Sequence, residues 1–257
     1  MHILFIGYGK TSQRVAKQLF ELDHQITTIS LTTKTDRYAN HLIQDVHQLD
    51  LSQLSPIDCA YVLLAPKQGD VESYRNTYLD STKSIIPQLK KHDLKRLILV
   101  SSTRVYGENS GEMIDDDTSI QPSDEQGEIL REMELSYLEA LPNITSIIRP
   151  SGIYNGKSGR MISLAEKTKA YPNIHWSNRI YLDDLVDFLV YMLHVEHFEQ
   201  SYIVSDNVPE PLHEKILRIQ KEMNLPELIL ESENQTGKKI LAKRMMESGF
   251  LISNRGL

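Results

Sequence analysis

The sequence predicts an α/β protein organised on a doubly wound parallel sheet, with a small α/β cap nearer the carboxyl terminus. Three observations carry this prediction. A strand-like apolar run at residues 2–6 leads directly into two glycines and a helical apolar pattern. Apolar strands alternate with helical stretches over residues 1–150. The alternation then becomes irregular, so residues 151–257 are expected to form mostly the cap, with about 178–205 returning to the core.

The loop after the first strand has the frame of a phosphate-binding turn. Gly7 permits a tight turn, Gly9 lets the backbone approach a pyrophosphate, and the following helix offers free N–H groups. Ser12 stands at the usual third glycine position and is small enough for close packing. We expect a dinucleotide-binding fold, with a glycine turn of another α/β domain as the alternative. The loop residues expected to hold the cofactor are Gly7, Tyr8, Gly9, Lys10, Thr11 and Ser12.

Composition and charge argue against several classes of function. Lys plus Arg number 28 against 35 Asp plus Glu, and the net charge of −7 argues against nucleic acid as the main partner. No apolar stretch reaches the roughly 18 residues of a membrane span, and the first residues lack a secretory leader, so we expect a soluble cytoplasmic protein without a membrane partner. The single cysteine lies in an apolar run, and the nine histidines form no HxH or HxxxH motif. His194 and His197, three apart on an expected helix, are a weak alternative metal site, because no nearby acidic or thiol ligand set accompanies them.

The second strand bears on the choice of cofactor. Residues 25–31 are rich in β-branched side chains, and NAD-binding proteins place an acid for the ribose hydroxyls at the end of this strand. Here Thr33 and Lys34 follow the strand, and Asp36 comes several residues late. Hydroxyls and an ammonium suit a 2′-phosphate, so the sequence slightly favours NADP over NAD. A solvated loop lysine is the alternative.

Apolar runs and the residues that end them predict the remaining strands and helices. Four more core strands are expected at residues 42–46, 59–64, 97–100 and 143–149, and a long helical stretch at 70–89. Later elements are expected at residues 161–170, 183–194, 202–205, 212–223, 228–230 and 238–249. The acidic run 115–117 is expected on a solvated loop.

Ligands of such sheets bind beyond the carboxyl ends of the strands. The segments that follow the expected strands should therefore line one crevice together with the glycine loop. The further candidates for cofactor binding are Thr33, Lys34, Asp45, Ala65, Pro66, Ser101, Pro150, Gly152 and Ile153.

Five segments carry a family resemblance. Residues 101–107, SSTRVYG, resemble the SSxxVYG segment of the extended short-chain dehydrogenases, the NAD-dependent epimerase/dehydratase family. Residues 149–154, 178–185 and 202–209 resemble RxxGIYGP, NRIHVDDL and YNVSDxxP in the correct order, and 237–240 with 256–257 resemble the ending of an atypical branch often called YeeZ-like. The resemblance implies a Rossmann fold, a nicotinamide dinucleotide, a small hydroxylated or sugar-like substrate and, as is frequent in the family, a homodimer.

The family's catalytic pair, Tyr and Lys four residues apart on a helix, is missing. In the family the ammonium lowers the phenol pKa, so that the phenolate acts as a base. None of the twelve tyrosines has a lysine four residues later. Aligning Glu134 with the family's helix glutamate puts Gln126 and Leu130 at the pair positions. The YeeZ-like branch also lacks the pair.

The resemblance leaves hydroxyl groups at the reaction site. Ser102 stands at the family's catalytic serine position, with Thr103 beside it, and either hydroxyl could orient a substrate oxygen. Tyr106 and Glu128 are the candidates for a replacement base. The alternatives are a packed tyrosine and a solvent-exposed glutamate.

Two interpretations of function follow. In the first, the protein is an NAD(P)-dependent epimerase, dehydratase or reductase. In the second, it is a catalytically inactive sensor or regulatory protein that holds a dinucleotide. The missing pair favours the second, whereas the retained Ser-Ser-Thr segment and the separate cap favour the first. Residues 151–158 also resemble a GxxxxGKS loop, but Ser151 replaces the first glycine and no acid follows the fifth strand to hold magnesium.

Overall fold

The computed structural model describes residues 1–156 and 159–253. The resemblance at 256–257 and the last two residues of the GxxxxGKS-like segment lie outside that part of the chain. The strands, in chain order, are β1 (His2–Ile6), β2 (Gln25–Ser30), β3 (Asn40–Ile43), β4 (Cys59–Val62), β5 (Arg96–Val100), β6 (Glu112–Ile114), β7 (Thr145–Pro150), β8 (Gly152–Tyr154), β9 (Ala170–Tyr171), β10 (Ile174–Ser177), β11 (Arg179–Tyr181), β12 (Ser201–Val204), β13 (Glu210–Pro211), β14 (Ile229–Leu230) and β15 (Gln235–Ile240).

Helices connect most of these strands. A π-helical turn, Arg75–Asp80, follows the second helix, and 3₁₀ turns occupy Val46–Gln48 and Thr103–Val105. No helix among the described residues is both long and apolar enough to cross a bilayer. The helices are α1 (Lys10–Glu21), α2 (Val71–Tyr74), α3 (Thr82–Leu89), α4 (Glu125–Ala140), α5 (Gly159–Lys167), α6 (Leu182–His194), α7 (Leu212–Glu222) and α8 (Lys243–Glu247).

A seven-stranded sheet in the order β12-β7-β5-β4-β1-β2-β3 confirms the predicted α/β fold class. The registers from β7 through to β3 are all parallel. The strand order reverses direction at β1, so the sheet is doubly wound and its switch point lies at the carboxyl ends of β1 and β4. The glycine loop therefore sits at the place where such sheets bind ligands.

Burial explains why the central strands are apolar throughout rather than alternating. Every residue of β1 and β4 is buried, as expected for strands covered on both faces. Phe5 stacks on Tyr61 with ring centroids 4.7 Å apart, and the Tyr61 hydroxyl donates to the carbonyl oxygen of Leu189 at 2.9 Å. Helix α1 buries Val15, Ala16 and Leu19 along one face. These contacts fix β1 and α1, and hence the loop between them.

The chain divides into two compact units. The first unit comprises residues 1–106, 122–149 and 186–202, and the second comprises 107–121, 150–185 and the residues from 203 onward. Residues 107–121 thus join the second unit, although the sequence analysis placed them in the first 150 residues. The segment that returns to the first unit is 186–202, which is shorter than the expected 178–205.

The second unit is built on a four-stranded mixed sheet in the order β13-β10-β15-β6. Strands β10 and β13 are antiparallel, whereas β15 pairs in parallel with both β10 and β6. Two parallel pairs, β11 with β8 and β14 with β9, complete its strands. Ala165, Ile216 and Leu228 form an apolar cluster that joins α5 and α7.

Four expected elements differ from the structure. The third strand ends at Ile43 rather than at residue 46, because Asp45 begins a 3₁₀ turn and accepts a hydrogen bond from the His47 amide at 2.9 Å. The long helix is interrupted by the π-helical turn, and residues 238–249 divide into the end of β15 and α8. The acidic run 115–117 is only partly solvated: Asp116 is buried and accepts from the amides of Ile203 and Arg244.

Candidate functional site

Gly7 makes the turn that ends β1. Its backbone has a φ of +91°, and its amide donates to the carbonyl oxygen of Ile29 at 3.0 Å. A Cβ at this position would collide with the carbonyl oxygen of Leu63. Both the conformation and the close approach of β4 therefore require glycine.

Gly9 leaves the N-terminus of α1 open. No side chain caps this end of the helix, its first turn carries no acid, and a Cβ at Gly9 would meet no atom within 4 Å. Ser12 is buried, and its hydroxyl donates to the carbonyl oxygen of Gly7 at 2.9 Å, which holds the helix against the turn. Uncapped N–H groups and the positive end of the helix dipole thus face open space, an arrangement suited to a phosphate group.

Asp36 lies beside the glycine loop, although it follows β2 by six residues. The Tyr8 hydroxyl donates to Asp36 Oδ1 at 3.1 Å, and His41 Nε2 lies 3.3 Å from the same oxygen. Burial, and then the Asp36 charge, raise the pKa of Tyr8 well above its ordinary value, so the phenol remains a donor. The loop thereby holds a carboxylate next to its own second residue.

The other cofactor-binding candidates near β2 and β3 lie in a loop and at the start of a 3₁₀ turn. Thr33 is exposed and Lys34 is half-buried, both in the loop that leads from β2 to Asp36. The Asp45 side chain caps the Val46–Gln48 turn. The structure thus places Asp36, rather than Asp45, in contact with the glycine loop.

Two more candidate segments follow β4 and β5 in the first unit. Ala65 is exposed and Pro66 half-buried just after β4. Ser101 is 9% exposed, and its hydroxyl has no hydrogen-bond partner among the described residues. Ser102 is half-buried and accepts from the Arg104 amide at 3.2 Å, which caps the turn containing Thr103. An unsatisfied buried hydroxyl at a strand end is a polar group that a ligand could engage.

Tyr106 occupies the packed position that was the alternative to a catalytic role. It is 1% exposed, and its hydroxyl accepts from Arg149 Nη1 at 2.8 Å. The same guanidinium donates to both carboxylate oxygens of Glu134, at 3.0 and 2.7 Å. The Tyr106 phenol is therefore engaged inside the first unit, and a catalytic role for it stays a prediction.

The positions aligned with the missing pair carry no proton-transfer group. Gln126 accepts from the Arg104 guanidinium and donates to the carbonyl oxygen of Gly69. Leu130 is 1% exposed within α4. Glu128, the other proposed base, pairs with Arg131 on the same helix, Arg131 Nε lying 3.2 Å from Glu128 Oε1.

The remaining cofactor candidates belong to the second unit. Pro150 is the last residue of β7, and Gly152 and Ile153 lie in β8. The Gly152 amide donates to the carbonyl oxygen of Asn178 at 3.1 Å, and a Cβ there would lie 3.0 Å from that oxygen. Ile153 is 49% exposed. That these residues share a crevice with the glycine loop stays a prediction.

The second unit has a cleft of its own, with a volume of about 350 Å³. Glu210 binds two guanidinium groups in it, that of Arg179 at 2.7 Å and that of Arg218. The Arg179 guanidinium also lies over the Tyr154 ring, 5.5 Å from its centroid. The cleft is lined by Trp176, Arg179, Asp206, Val208, Pro209, Glu210, Pro211, Glu214 and Arg218.

Sequence reasoning missed Asp36 and Arg104. Asp36 was set aside because it follows the strand too late, and only the fold shows that the loop brings it back to Tyr8. The signal available for Arg104 was a cation within the SSTRVYG segment, which the resemblance treats as variable. No group of three or more His, Cys, Asp or Glu among the described residues could hold a metal ion.

Sequence comparisons connect the chain to three curated proteins, of which two are YeeZ proteins of different Escherichia coli strains. It is 26% identical over 166 residues to protein YeeZ of Escherichia coli K12, covering 64% of this chain and 57% of that protein. It is 24% identical over 232 residues to the N-acetyl-alpha-D-glucosaminyl-diphospho-ditrans,octacis-undecaprenol 4-epimerase of Escherichia coli O157:H7, covering 80% of this chain and 65% of that enzyme. The chain thus spans less than two thirds of either relative. No family model matches it.

Solved structures match nearly the whole chain. UDP-glucuronic acid 4-epimerase of Bacillus cereus, in complex with NAD, has a TM-score of 0.81 at 18% identity and covers 99% of this chain and 92% of its own. A protein of Methylobacillus flagellatus assigned to the NAD-dependent epimerase/dehydratases has a TM-score of 0.79 at 24% identity, covering 99% and 93%. The chain has the fold of the extended short-chain dehydrogenases.

The resemblance seen in the sequence motifs is thereby confirmed. A third structure with this fold, MoeE5 in complex with UDP-glucuronic acid and NAD, has a TM-score of 0.79 at 14% identity, covering 99% of this chain and 94% of its own. The extended short-chain dehydrogenase fold accounts for the parallel sheet, the glycine loop after β1 and the Ser-Ser segment after β5.

Proposed function

We propose that this protein is an NAD-dependent enzyme of the epimerase, dehydratase or reductase type that acts on a sugar nucleotide. The open N-terminus of α1, between Gly9 and the buried Ser12, carries the proposal, because it offers backbone donors at the switch point of a parallel sheet. The matched structures of UDP-glucuronic acid 4-epimerase and MoeE5 that contain NAD support it.

The residues of the first unit fit a nicotinamide dinucleotide. The amides that begin α1 would bind the diphosphate, with Gly9 leaving room for it. Ala65, Pro66 and the unsatisfied Ser101 hydroxyl would border the nicotinamide end. The nicotinamide ring, when bound, supplies hydride transfer. Ser102 would orient the substrate oxygen, as its alignment with the family's serine implies.

Asp36 favours NAD over NADP, in contrast to the slight preference for NADP in the sequence. A carboxylate held by Tyr8 and His41 beside the glycine loop can accept hydrogen bonds from ribose hydroxyls. The same charge would repel a 2′-phosphate. Lys34 is in the same loop, but Asp36 is the residue whose side chain contacts Tyr8.

Substitutions at Asp36 and Lys34 test the cofactor preference. We expect the protein to bind NADH more tightly than NADPH, and Asp36→Asn to weaken NADH binding by about tenfold because a charge-assisted hydrogen bond is lost. Lys34→Glu should change both affinities equally and little. Fluorescence titration of each variant, with the surface substitution Glu21→Gln as control, measures these effects. Loss of NADPH binding alone in Lys34→Glu would instead support the 2′-phosphate interpretation.

The second-unit cleft is the proposed binding place for part of the substrate. Arg218 is 55% exposed, and Trp176, whose ring has the Lys239 ammonium 4.2 Å from its centroid, lines the same cleft. A guanidinium group suits a phosphate, and an indole suits a ring of the ligand. The UDP-sugar complexes of MoeE5 support a sugar nucleotide as the ligand class.

A sensor that holds NAD without turnover is the second candidate, favoured by Gln126 and Leu130 at the pair positions. Incubation with NAD and UDP-glucuronic acid, UDP-glucose or UDP-N-acetylglucosamine, followed by chromatography, separates the two. We expect conversion of at least one sugar nucleotide and a loss of about a hundredfold in Ser102→Ala, with NADH affinity unchanged. Tight NADH binding without any conversion across a wider panel of sugar nucleotides would favour the sensor.

A further inference from the structure

We propose that the Tyr74 phenol, supported by the Arg104 guanidinium, performs the proton transfer that the missing Tyr and Lys pair performs elsewhere. The inference rests on the proposed function, and it names the proton-transfer residue of that site. Tyr74 ends α2, and Arg104 lies in the turn that follows Ser102. The Arg104 guanidinium carbon lies 5.7 Å from the centroid of the Tyr74 ring. The structure thus has a phenol beside a cation, with the phenol on α2 and the cation on the turn after Ser102, in place of a Tyr and Lys pair on one helix.

Several other tyrosines described in the first unit are buried or hold a hydrogen bond to another residue. Tyr61, Tyr106 and Tyr137 are at most 1% exposed, and Tyr8 donates to Asp36. Burial raises the pKa of Tyr78 to about 12, so this neighbour stays protonated. Among the described tyrosines of the first unit, Tyr74 is the one whose ring contacts a cation from the Ser102 segment. Three more lie elsewhere in that unit, Tyr38, Tyr191 and Tyr202.

Arg104 is fixed at the N-terminus of α4. Its Nε lies 3.0 Å from both carboxylate oxygens of Asp124, its Nη2 contacts Asp124 and Gln126, and its own amide donates to Ser102 Oγ. The pKa of Arg104 is raised, first by the hydrogen bond to Asp124, with the Tyr74 phenol also contributing. The cation is therefore permanent at any working pH.

Tyr74 is the last residue of α2, which packs against α4 and leads directly into the π-helical turn. Residues 75–80 interrupt the helix after Tyr74, and both α2 and this turn pack against α4, which carries Gln126. Gln126 also donates to the carbonyl oxygen of Gly69, just before α2. Tyr74 is half-buried and packs edge-on against Tyr78, with ring centroids 5.3 Å apart. Single π-helical turns are frequent at functional sites, where one extra residue redirects a side chain.

A bound nicotinamide would supply the hydride in a carbonyl reduction. As the carbonyl carbon accepts this hydride, the electron pair of the broken C=O π bond would take the proton from the Tyr74 hydroxyl. The O–H bond of Tyr74 breaks as the O–H bond of the product forms. The resulting phenolate is stabilised by the Arg104 charge and regains a proton from water. Oxidation of a hydroxyl runs through the same steps in reverse.

Chemical nitration tests the placement of Tyr74 without requiring turnover. The protein is treated with tetranitromethane, alone or with saturating NADH and UDP-glucuronic acid, and nitrated peptides are identified by mass spectrometry. We expect Tyr74 to be nitrated in the free protein and protected at least tenfold by the two ligands. Tyr191, on α6, is the control whose nitration should not change. Equal nitration of Tyr74 with and without ligands, while NADH binding is saturated, would overturn the inference.

Kinetics provide the second readout. With a sugar nucleotide that the protein converts, Tyr74→Phe should lower the rate by about 10²- to 10⁴-fold, the usual contribution of general acid–base catalysis, while NADH affinity stays within twofold. Tyr191→Phe should leave the rate unchanged. A fully active Tyr74→Phe protein that binds NADH normally would refute the role of Tyr74 and leave the proposed function intact. Absence of NADH binding in the wild-type protein would refute both. If no sugar nucleotide is converted, the nitration result decides.

Discussion

Replacing Glu134 by alanine is expected to lower the free energy of unfolding by about 3–5 kcal/mol, because it leaves a buried guanidinium without its counter-charge. The side chains of Arg149 and Glu134 are 5% and 2% exposed, and two hydrogen bonds join them. A third bond from Arg149 reaches the Tyr106 hydroxyl. This cluster ties α4 and β7 to the end of the segment that carries Ser102.

Urea denaturation followed by circular dichroism measures this effect. Glu132→Ala, on the exposed face of the same helix, is the matched control and should change stability by less than about 0.5 kcal/mol. The double variant Glu134→Met with Arg149→Leu should recover much of the loss, since well-packed apolar side chains can replace a buried ion pair. A loss below about 1 kcal/mol in Glu134→Ala would show that water reaches the pair.

Replacing Gly9 by valine is expected to abolish most NADH binding while leaving the fold intact. The backbone of Gly9 is extended, with φ −89° and ψ −169°, and its Cβ position faces open space, so the side chain meets no protein atom within 4 Å of that position. It would instead occupy the volume proposed for the diphosphate. The loss of affinity should exceed about tenfold, since displacing a charge-assisted contact removes 1.5 kcal/mol or more.

Two controls separate binding from folding in this experiment. Gly7→Ala should destabilise the protein, because that position has a positive φ and a Cβ there would collide with Leu63. Gln13→Ala, on the exposed face of α1, should change neither stability nor affinity. Calorimetric titration with NADH and thermal melting are the measurements. Unchanged NADH affinity in Gly9→Val would place the diphosphate elsewhere.

Local patterns made the first strand, the glycine turn and α1 predictable. All five residues of β1 are buried, as their apolar run predicts. The spacing of Val15, Ala16 and Leu19 predicts the face of α1 that is buried. The fold class followed because strands and helices alternate over most of the first unit. The SSTRVYG segment added a specific place for Ser102 after β5.

Tertiary contacts that no local pattern encodes account for what the sequence missed. Asp36 meets Tyr8 only because the loop after β2 folds back over the glycine turn. Asp116 was expected in solvent, yet it is buried. Its carboxylate accepts hydrogen bonds from the amides of residues 87 and 128 positions away in sequence. Tyr74 and Arg104 are 30 residues apart, and their contact joins α2 to the turn after Ser102, which helical periodicity does not reveal. Most of the wrong sequence predictions thus concern polar residues, because the partners of these residues are distant in the chain.

Titration of the unaltered protein with NADH, followed by isothermal calorimetry, tests whether the glycine loop holds a dinucleotide. We expect saturable binding of one NADH per chain, competed by NAD, with an affinity in the micromolar range. Absence of saturable binding of either NADH or NADPH up to about 1 mM would contradict it, since the open helix terminus beside Gly9 would then have no dinucleotide to hold.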